Sequence, residues 1–193
     1  MNKKPDIKRI ESLVQQLLVA LGENPRREGL RKTPARVARS YEFLTSGYRQ
    51  TPSRVLNGAI YESHTNNMII VRDIEIYSLC EHHMLPFFGR CHVGYVAKKN
   101  VIGVSKIARM VDCFARRLQI QERLTEQIAE AVMDAASAEG VGVVMECRHL
   151  CMMMRGVGKQ NSVMTTSSVL GSFRRNGTTR GEFLSLITGL RPT

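Results

Sequence analysis

The chain has 193 residues, 43% hydrophobic and 23% charged, with no Trp and a formal net charge of +11 from 28 basic and 17 acidic residues. That length suits one domain, or one with a small appendage, and can bury roughly 70% of the unfolded surface. No run of about 18 apolar residues exists to span a membrane, and the polar opening Met1 to Arg9, with no apolar stretch and cleavage site behind it, argues against secretion.

The predicted elements begin with a helix. Ile7, Ile10, Val14, Leu17, Leu18 and Leu21 recur at helical spacing, and Gly22 ends the run. Thr33-Pro34 reads as an N-cap followed by proline at the first helical position. Val37, Tyr41 and Leu44 give this second helix its apolar face, and Gly47 stops it. The polar stretch from about Ser46 to Asn67, rich in Gly, Ser, Thr and Pro, is expected to be loop. Residues 1–60 thus form an N-terminal helical region and 61–193 a second unit.

From Met68 the pattern changes to alternation. Ile74, Ile76 and Ser78 fall on one side of a strand; Asp73, Glu75 and Tyr77 fall on the other. Cys91, Val93, Tyr95 and Ala97 mark a second strand, and Lys98-Lys99-Asn100 a turn. Helical stripes follow at Ile107, Met110, Val111, Phe114 and Leu118, then at Leu124, Ile128, Val132 and Ala135. Val141 to Cys147 and Val163 to Leu170 are strands. Thr179-Arg180-Gly181-Glu182 reads as a capping box opening a last helix with Phe183, Leu186, Ile187 and Leu190. Paired strands that can be antiparallel give an α+β class. Two open sheet edges hint at pairing with another chain.

The chemistry concentrates at Cys80-Glu81-His82-His83. Cys80 and His83 are three apart, so one turn of chain can aim both at one ion. Candidate partners are His64, His82, Cys91, His92, Cys113, Cys147, His149 and Cys151. Cys113 lies near an apolar stripe and Cys147 ends a strand, so both read as packed. His149 and Cys151 share a side of an extended chain and form a second cluster. Cys80, His83 and Cys151 would give zinc three ligands and leave one position for water, the catalytic arrangement. Five Cys, odd in number and scattered, fit ligands in a reducing cytoplasm better than disulfides.

Two further groups stand out. Gly103-Val104-Ser105-Lys106-Ile107-Ala108-Arg109 opens a helix that Ser105 can cap, with Lys106 and Arg109 on one face. It reads either as an anion site or as an ordinary capped helix with exposed charges. Arg155 could bring a third cation close to the metal. Glu122, at the start of a helix, either compensates the dipole or accepts the N–H groups of a purine edge. No Gly-x-x-x-x-Gly-Lys-Ser/Thr loop occurs.

These residues together resemble the GTP cyclohydrolase I family. The matching blocks are Ser78-Leu79-Cys80-Glu81-His82-His83, Pro86-Phe87-Phe88-Gly89, Val101-Ile102-Gly103-Val104-Ser105-Lys106, Gln121-Glu122-Arg123-Leu124-Thr125 and His149-Leu150-Cys151-Met152-Met153-Met154-Arg155-Gly156. They occur in order, and with the N-terminal Gly22-Glu23-Asn24-Pro25 they cover nearly the whole chain. Ala97 and Met164 stand where the family commonly has Pro and Thr.

The resemblance implies a tunnelling-type (T-fold) antiparallel sheet with helices on one face, plus the N-terminal helical region. It implies a homodecamer of two pentamers, which would occupy the open edges. The implied reaction converts GTP and water to 7,8-dihydroneopterin triphosphate and formate, the first step toward folates and other reduced pterins. Carried over by position, zinc is held by Cys80, His83 and Cys151. His149 protonates N7 of guanine, His82 assists ring opening and Ser105 helps the ribose rearrange. Lys106, Arg109 and Arg155 contact the triphosphate, and Glu122 recognises guanine. Two other readings compete with this one. A zinc-stabilised basic nucleic-acid-binding protein predicts four protein ligands and a recognisable module. A nucleobase deaminase requires a His-x-Glu and Pro-Cys-x-x-Cys signature that is missing from the sequence. Neither nucleic acid nor membrane is expected as a partner.

Overall fold

The computed structural model describes residues 4–63 and 66–189. His64 and Leu190, named above, lie outside the described residues. Helix α1 (Ile7–Ala20) starts at Asp6, whose side chain accepts the Arg9 N–H at 3.0 Å. It packs on α2 (Thr33–Leu44), yet no residue of α1 is buried. Leu17 is 56% exposed, Leu21 70% and Phe43 on α2 61%. The cap of α2 is Lys32 rather than Thr33; the Thr33 hydroxyl instead donates back to the Gly29 carbonyl.

The stretch expected to be loop holds short elements. A 3-10 turn (Ser46–Arg49) is followed by α3 (Pro52–Leu56) and strand β1 (Ile60–Glu62). Thr51 caps α3, and Pro52 opens it. Elements of three to five residues are too short to show a period, so composition alone suggested loop. Gly47 sits where a Cβ would lie 2.3 Å from the Cys113 carbonyl oxygen. Its N–H donates to the Arg116 carbonyl at 2.9 Å, tying the turn to the end of a later helix.

The main sheet contains β2 (Met68–Cys80), β3 (Pro86–Val96), β6 (Gly140–His149) and β7 (Met164–Gly171) as an antiparallel meander. A two-residue strand, β5 (Leu118–Gln119), runs parallel to β2 at its outer edge. The order is β5-β2-β3-β6-β7. A separate pair joins β1 to β4 (Asn100–Ile102). The α+β class with an antiparallel sheet is what the alternation predicted. Helices α4 (Val104–Ala115) and α5 (Gln121–Ala136) pack on one face, where Ile76, Val93, Tyr95, Met110, Ile128 and Met145 form the core.

The short α7 (Ser172–Arg175) and the final α8 (Gly177–Gly189) take part of the opposite face. Phe183 of α8 rests on Gly94, where a Cβ would lie 2.7 Å from its ring. The start of α8 differs from the expected capping box. Asn176 supplies the cap, its side-chain oxygen accepting the N–H groups of Thr178 (2.9 Å) and Thr179 (3.4 Å). Asn three residues upstream competes with Thr179 as a cap and wins. No helix among the described residues is long and apolar enough to cross a membrane.

Strand β2 carries a bulge. Val71 pairs with Val93, but the next pair is Ile74 with Cys91, so β2 holds one extra residue. Asp73 has φ +58° there, and its N–H donates to His92 Nδ1 at 3.1 Å. Before the bulge Ile69 and Val71 face the core; after it Ile74 and Ile76 do.

Candidate metal centre and catalytic site

Strand β2 delivers Cys80 into a tight turn. The Cys80 N–H donates to the Leu85 carbonyl and the Met84 N–H to the Cys80 carbonyl, each at 2.8 Å. Met84 takes a left-handed φ of +56° to close it. The Cys80 sulfur then lies 3.9 Å from His82 Nδ1 and 3.8 Å from His83 Nδ1. Glu81 points outward to Arg123 on α5, which holds its carboxyl below the usual carboxylate range. Arg123 Nε also donates to Gln119 Oε1 at 3.0 Å, and the Glu81 N–H donates to the Gln119 carbonyl at 3.0 Å. The turn is thus fastened to β5 and α5 by both backbone and side chain.

The third sulfur arrives from the end of β6. Residues 150–153 form a single helical turn, α6 (Leu150–Met153), so Cys151 curls back instead of continuing an extended chain with His149. Donor atoms of Cys80, His83 and Cys151 lie within 4.8 Å of one another. His82 is not in that convergent group, although its ring touches the Cys80 sulfur. Burial pushes the Cys151 thiol up, and the adjacent Cys80 sulfur adds to this while Arg155 opposes it. Two thiols crowded together favour a bound cation, and two sulfurs with one imidazole suit zinc. Arg155 Nη1 lies 3.1 Å from His83 Nε2, placing the expected cation beside this group.

The remaining sulfur candidates are packed away. Cys91, Cys113 and Cys147 are buried, and burial pushes the Cys147 thiol up to about 12. His92 faces the other side of the sheet, occupied with the Asp73 N–H.

His149 ends β6 with its ring stacked on Phe87, centroids 4.7 Å apart and planes 6° from parallel. Its Nε2 lies 2.8 Å from Gln121 Oε1. Gln121, only 1% exposed, donates from its Nε2 to the carbonyls of Met145 (3.1 Å) and Met164 (2.9 Å) and to Thr166 Oγ1 (3.1 Å). Those acceptors fix which end of the amide meets the histidine, so the amide oxygen faces it and His149 Nε2 donates. The neutral ring then keeps its lone pair on Nδ1. Burial lowers the His149 pKa, and the nearby carboxylate of Glu122 pulls the other way. Glu122 is exposed in the first turn of α5. Gln121 was missed from sequence, where a polar residue opening a helix reads as solvated.

Ser105, Lys106 and Arg109 are placed elsewhere. Gly103, not Ser105, is the N-cap of α4, and no side chain caps this helix. Ser105 lies two residues beyond the cap position and is exposed. Lys106 and Arg109 line a cavity of about 450 Å³ with Arg49, Arg54 and Asp112. Lys106 Nζ donates to the Val55 carbonyl at 3.0 Å. None of Cys80, His82, His83, Glu122, His149 or Cys151 lines this cavity.

Comparison with known proteins decides the family. The sequence profile described as GTP cyclohydrolase I matches residues 10–188. This chain belongs to the GTP cyclohydrolase I family. It is 59% identical over 178 residues to GTP cyclohydrolase 1 of Leptospira biflexa serovar Patoc, covering 92% of this chain and 97% of that one. It is 60% identical over 178 residues to GTP cyclohydrolase 1 of Methylococcus capsulatus, covering 92% and 96%. Against GTP cyclohydrolase 1 of a Campylobacter jejuni strain, serotype O:23/36, identity is 59% over 184 residues, covering 95% and 97%. Among solved structures, the apo archaeosine synthase QueF-Like is similar to 55% of this chain and 96% of that one, with TM-score 0.46 and 17% identity.

As a GTP cyclohydrolase I family member the chain is an enzyme of the first step of pterin and folate biosynthesis. GTP is the substrate of GTP cyclohydrolase I. The alternative of a basic nucleic-acid binder is not favoured. Within one chain, Cys80, His83, Cys151 and Arg155 come together. Glu122 joins His149 at the start of α5. Ser105, Lys106 and Arg109 stay apart from both groups.

Proposed function

We propose that the chain converts GTP and water to 7,8-dihydroneopterin triphosphate and formate, with zinc held by Cys80, His83 and Cys151. The convergence of those three donor atoms within 4.8 Å carries the reading. A zinc ion held there supplies Lewis acidity and makes water acidic near neutral pH.

The chain's own residues do the rest. His149, with Nε2 committed to Gln121, holds and returns a proton through Nδ1, the atom offered to N7 of the purine. His82, exposed on the same turn, is the second proton carrier during ring opening. Glu122 accepts the N–H groups of the guanine edge. Ser105 assists rearrangement of the ribose, and Lys106, Arg109 and Arg155 hold the triphosphate.

Separation of the α4 cations from the metal turn supports a site completed by two chains. The reading is a homodecamer of two pentamers in which α4 of one chain faces the metal turn of another. Exposed Leu13, Leu17, Leu21 and Phe43 on the N-terminal helices, within region 1–60, offer apolar surface for that assembly. Residues 61–193 form the catalytic unit, and the enzyme works in the cytoplasm.

The test is GTP turnover by zinc-loaded protein, followed by formate release and by pterin fluorescence after oxidation. Chelation should abolish both signals and zinc should restore them. No turnover by a zinc-replete preparation would sink the reading.

A further inference from the structure

The segment 46–56 has no part in the reaction as proposed, yet it forms one wall of the cavity that holds Lys106 and Arg109. It brings Arg49 and Arg54 to that cavity. Four cations therefore face one carboxylate, Asp112, which lies 3.6 Å from Arg116 and is partly neutralised by it. The low-dielectric walls of a cavity focus such an uncompensated field on a bound anion.

Arg49 adds a second observation. Its Nη2 donates to the Glu42 carbonyl at 3.1 Å, which pins the side chain. Its Nη1 is buried and has no hydrogen-bond partner among the described residues. A desolvated guanidinium N–H without an acceptor is costly, so an acceptor oxygen is its expected counterpart. Lys106 comes from the first turn of α4, whose N-terminus has no side-chain cap. Helix N–H groups and planar guanidinium forks both match the oxygens of phosphate.

We propose that Arg49 and Arg54 hold the outer phosphates of the nucleoside triphosphate, making segment 46–56 a phosphate-reading arm of the site. This rests on the reading of GTP as substrate and of Lys106 and Arg109 as phosphate contacts. Arg54 is exposed, and its guanidinium makes no hydrogen bond or ion pair with the rest of the described chain. It is free to close on the ligand, while Arg49 is braced by its bond to the Glu42 carbonyl.

Binding of inorganic tripolyphosphate to the zinc-loaded, full-length protein tests this by calorimetry, with the KM for GTP as a second readout. Arg54→Gln should raise the Kd for tripolyphosphate and the KM for GTP about fivefold. The kcat should stay within about twofold, with partial recovery in Arg54→Lys. Arg49→Gln should weaken binding similarly; a parallel melting curve separates this from loss of its brace to Glu42. Lys106→Gln serves as the reference. Unchanged Kd in both arginine variants, with weakened binding in Lys106→Gln, overturns the inference and leaves the GTP reading intact. Unchanged Kd in all three overturns the placement of phosphates in this cavity, and the inference with it.

Discussion

His149 and Gln121 form a 2.8 Å hydrogen bond whose direction is set by three acceptors on the far side of the amide. Gln121→Met keeps the volume and removes the acceptor. The neutral ring should then lose its preference for the Nε2–H form, and kcat should fall about 100-fold, within the range of general acid–base catalysis. Ring 15N shifts of His149, read beside turnover, check both. A wild-type ring already carrying its proton on Nδ1 contradicts the assignment.

Cys151 closes the metal group from a part of the chain 71 positions beyond Cys80. Cys151→Ser should reduce bound zinc from about one per chain to near zero, with activity lost in parallel. Metal analysis after desalting decides it. Stoichiometric zinc in the variant would point to another ligand set.

Glu81 has no place in the chemistry, but its pairing with Arg123 fastens the metal turn to α5. Glu81→Gln and Arg123→Gln should each weaken zinc affinity about tenfold. The double variant should be no worse than either single, because both changes remove one link. Competition against a chromophoric chelator measures this; additive losses would mean the two residues act separately.

His92 predicts a pH effect on stability. Burial lowers its pKa, while Asp73 and Glu146 partly oppose this and Arg90 and Arg72 reinforce it. In the unfolded chain the imidazole takes its proton near about 6.5. The unfolded state therefore binds more protons below that pH. Stability is fully present above about pH 6.5 and is lost as pH falls through the folded pKa. His92→Gln retains an acceptor for the Asp73 N–H and should show a smaller drop in Tm between about pH 7 and pH 5. Equal drops would remove His92 as the cause.

Gly94 has no room for a methyl group beneath Phe183. Gly94→Ala should cost about 1–3 kcal/mol through overpacking. Denaturant unfolding with a matched m-value measures it.

The long elements were legible because the residues that meet the main core recur at a fixed period. Alternation along β3 and β6 and the stripes of α4 and α5 match the residues buried between sheet and helices. Short elements left no trace: α3, β1 and β5 have two to five residues, less than a readable period. The convergence of Cys80, His83 and Cys151 was readable because thiol and imidazole clusters are chemically distinctive. Gln121 was not, since a glutamine becomes structural only when several strands surround it. The end of β6 misled for a related reason: four residues of helix bring Cys151 round, and four residues show no stripe.

The single extra residue at Asp73 also sets the phase of everything downstream in β2. Side chains alternate with a period of two, so one added position would exchange the faces of all that follow if the bulge did not absorb it. With it, Ile74, Ile76 and Cys80 share the core side with Ile69 and Val71. Drawing residue 73 into a regular ladder, with no bulge, would leave a strand that still pairs with β3 but presents Glu75 and Tyr77 to the apolar face. The Cys80 sulfur would be addressed to the wrong side of the sheet, away from Cys151. A reading frame for the sulfur is thus written seven residues before it, in a position that carries no chemistry of its own.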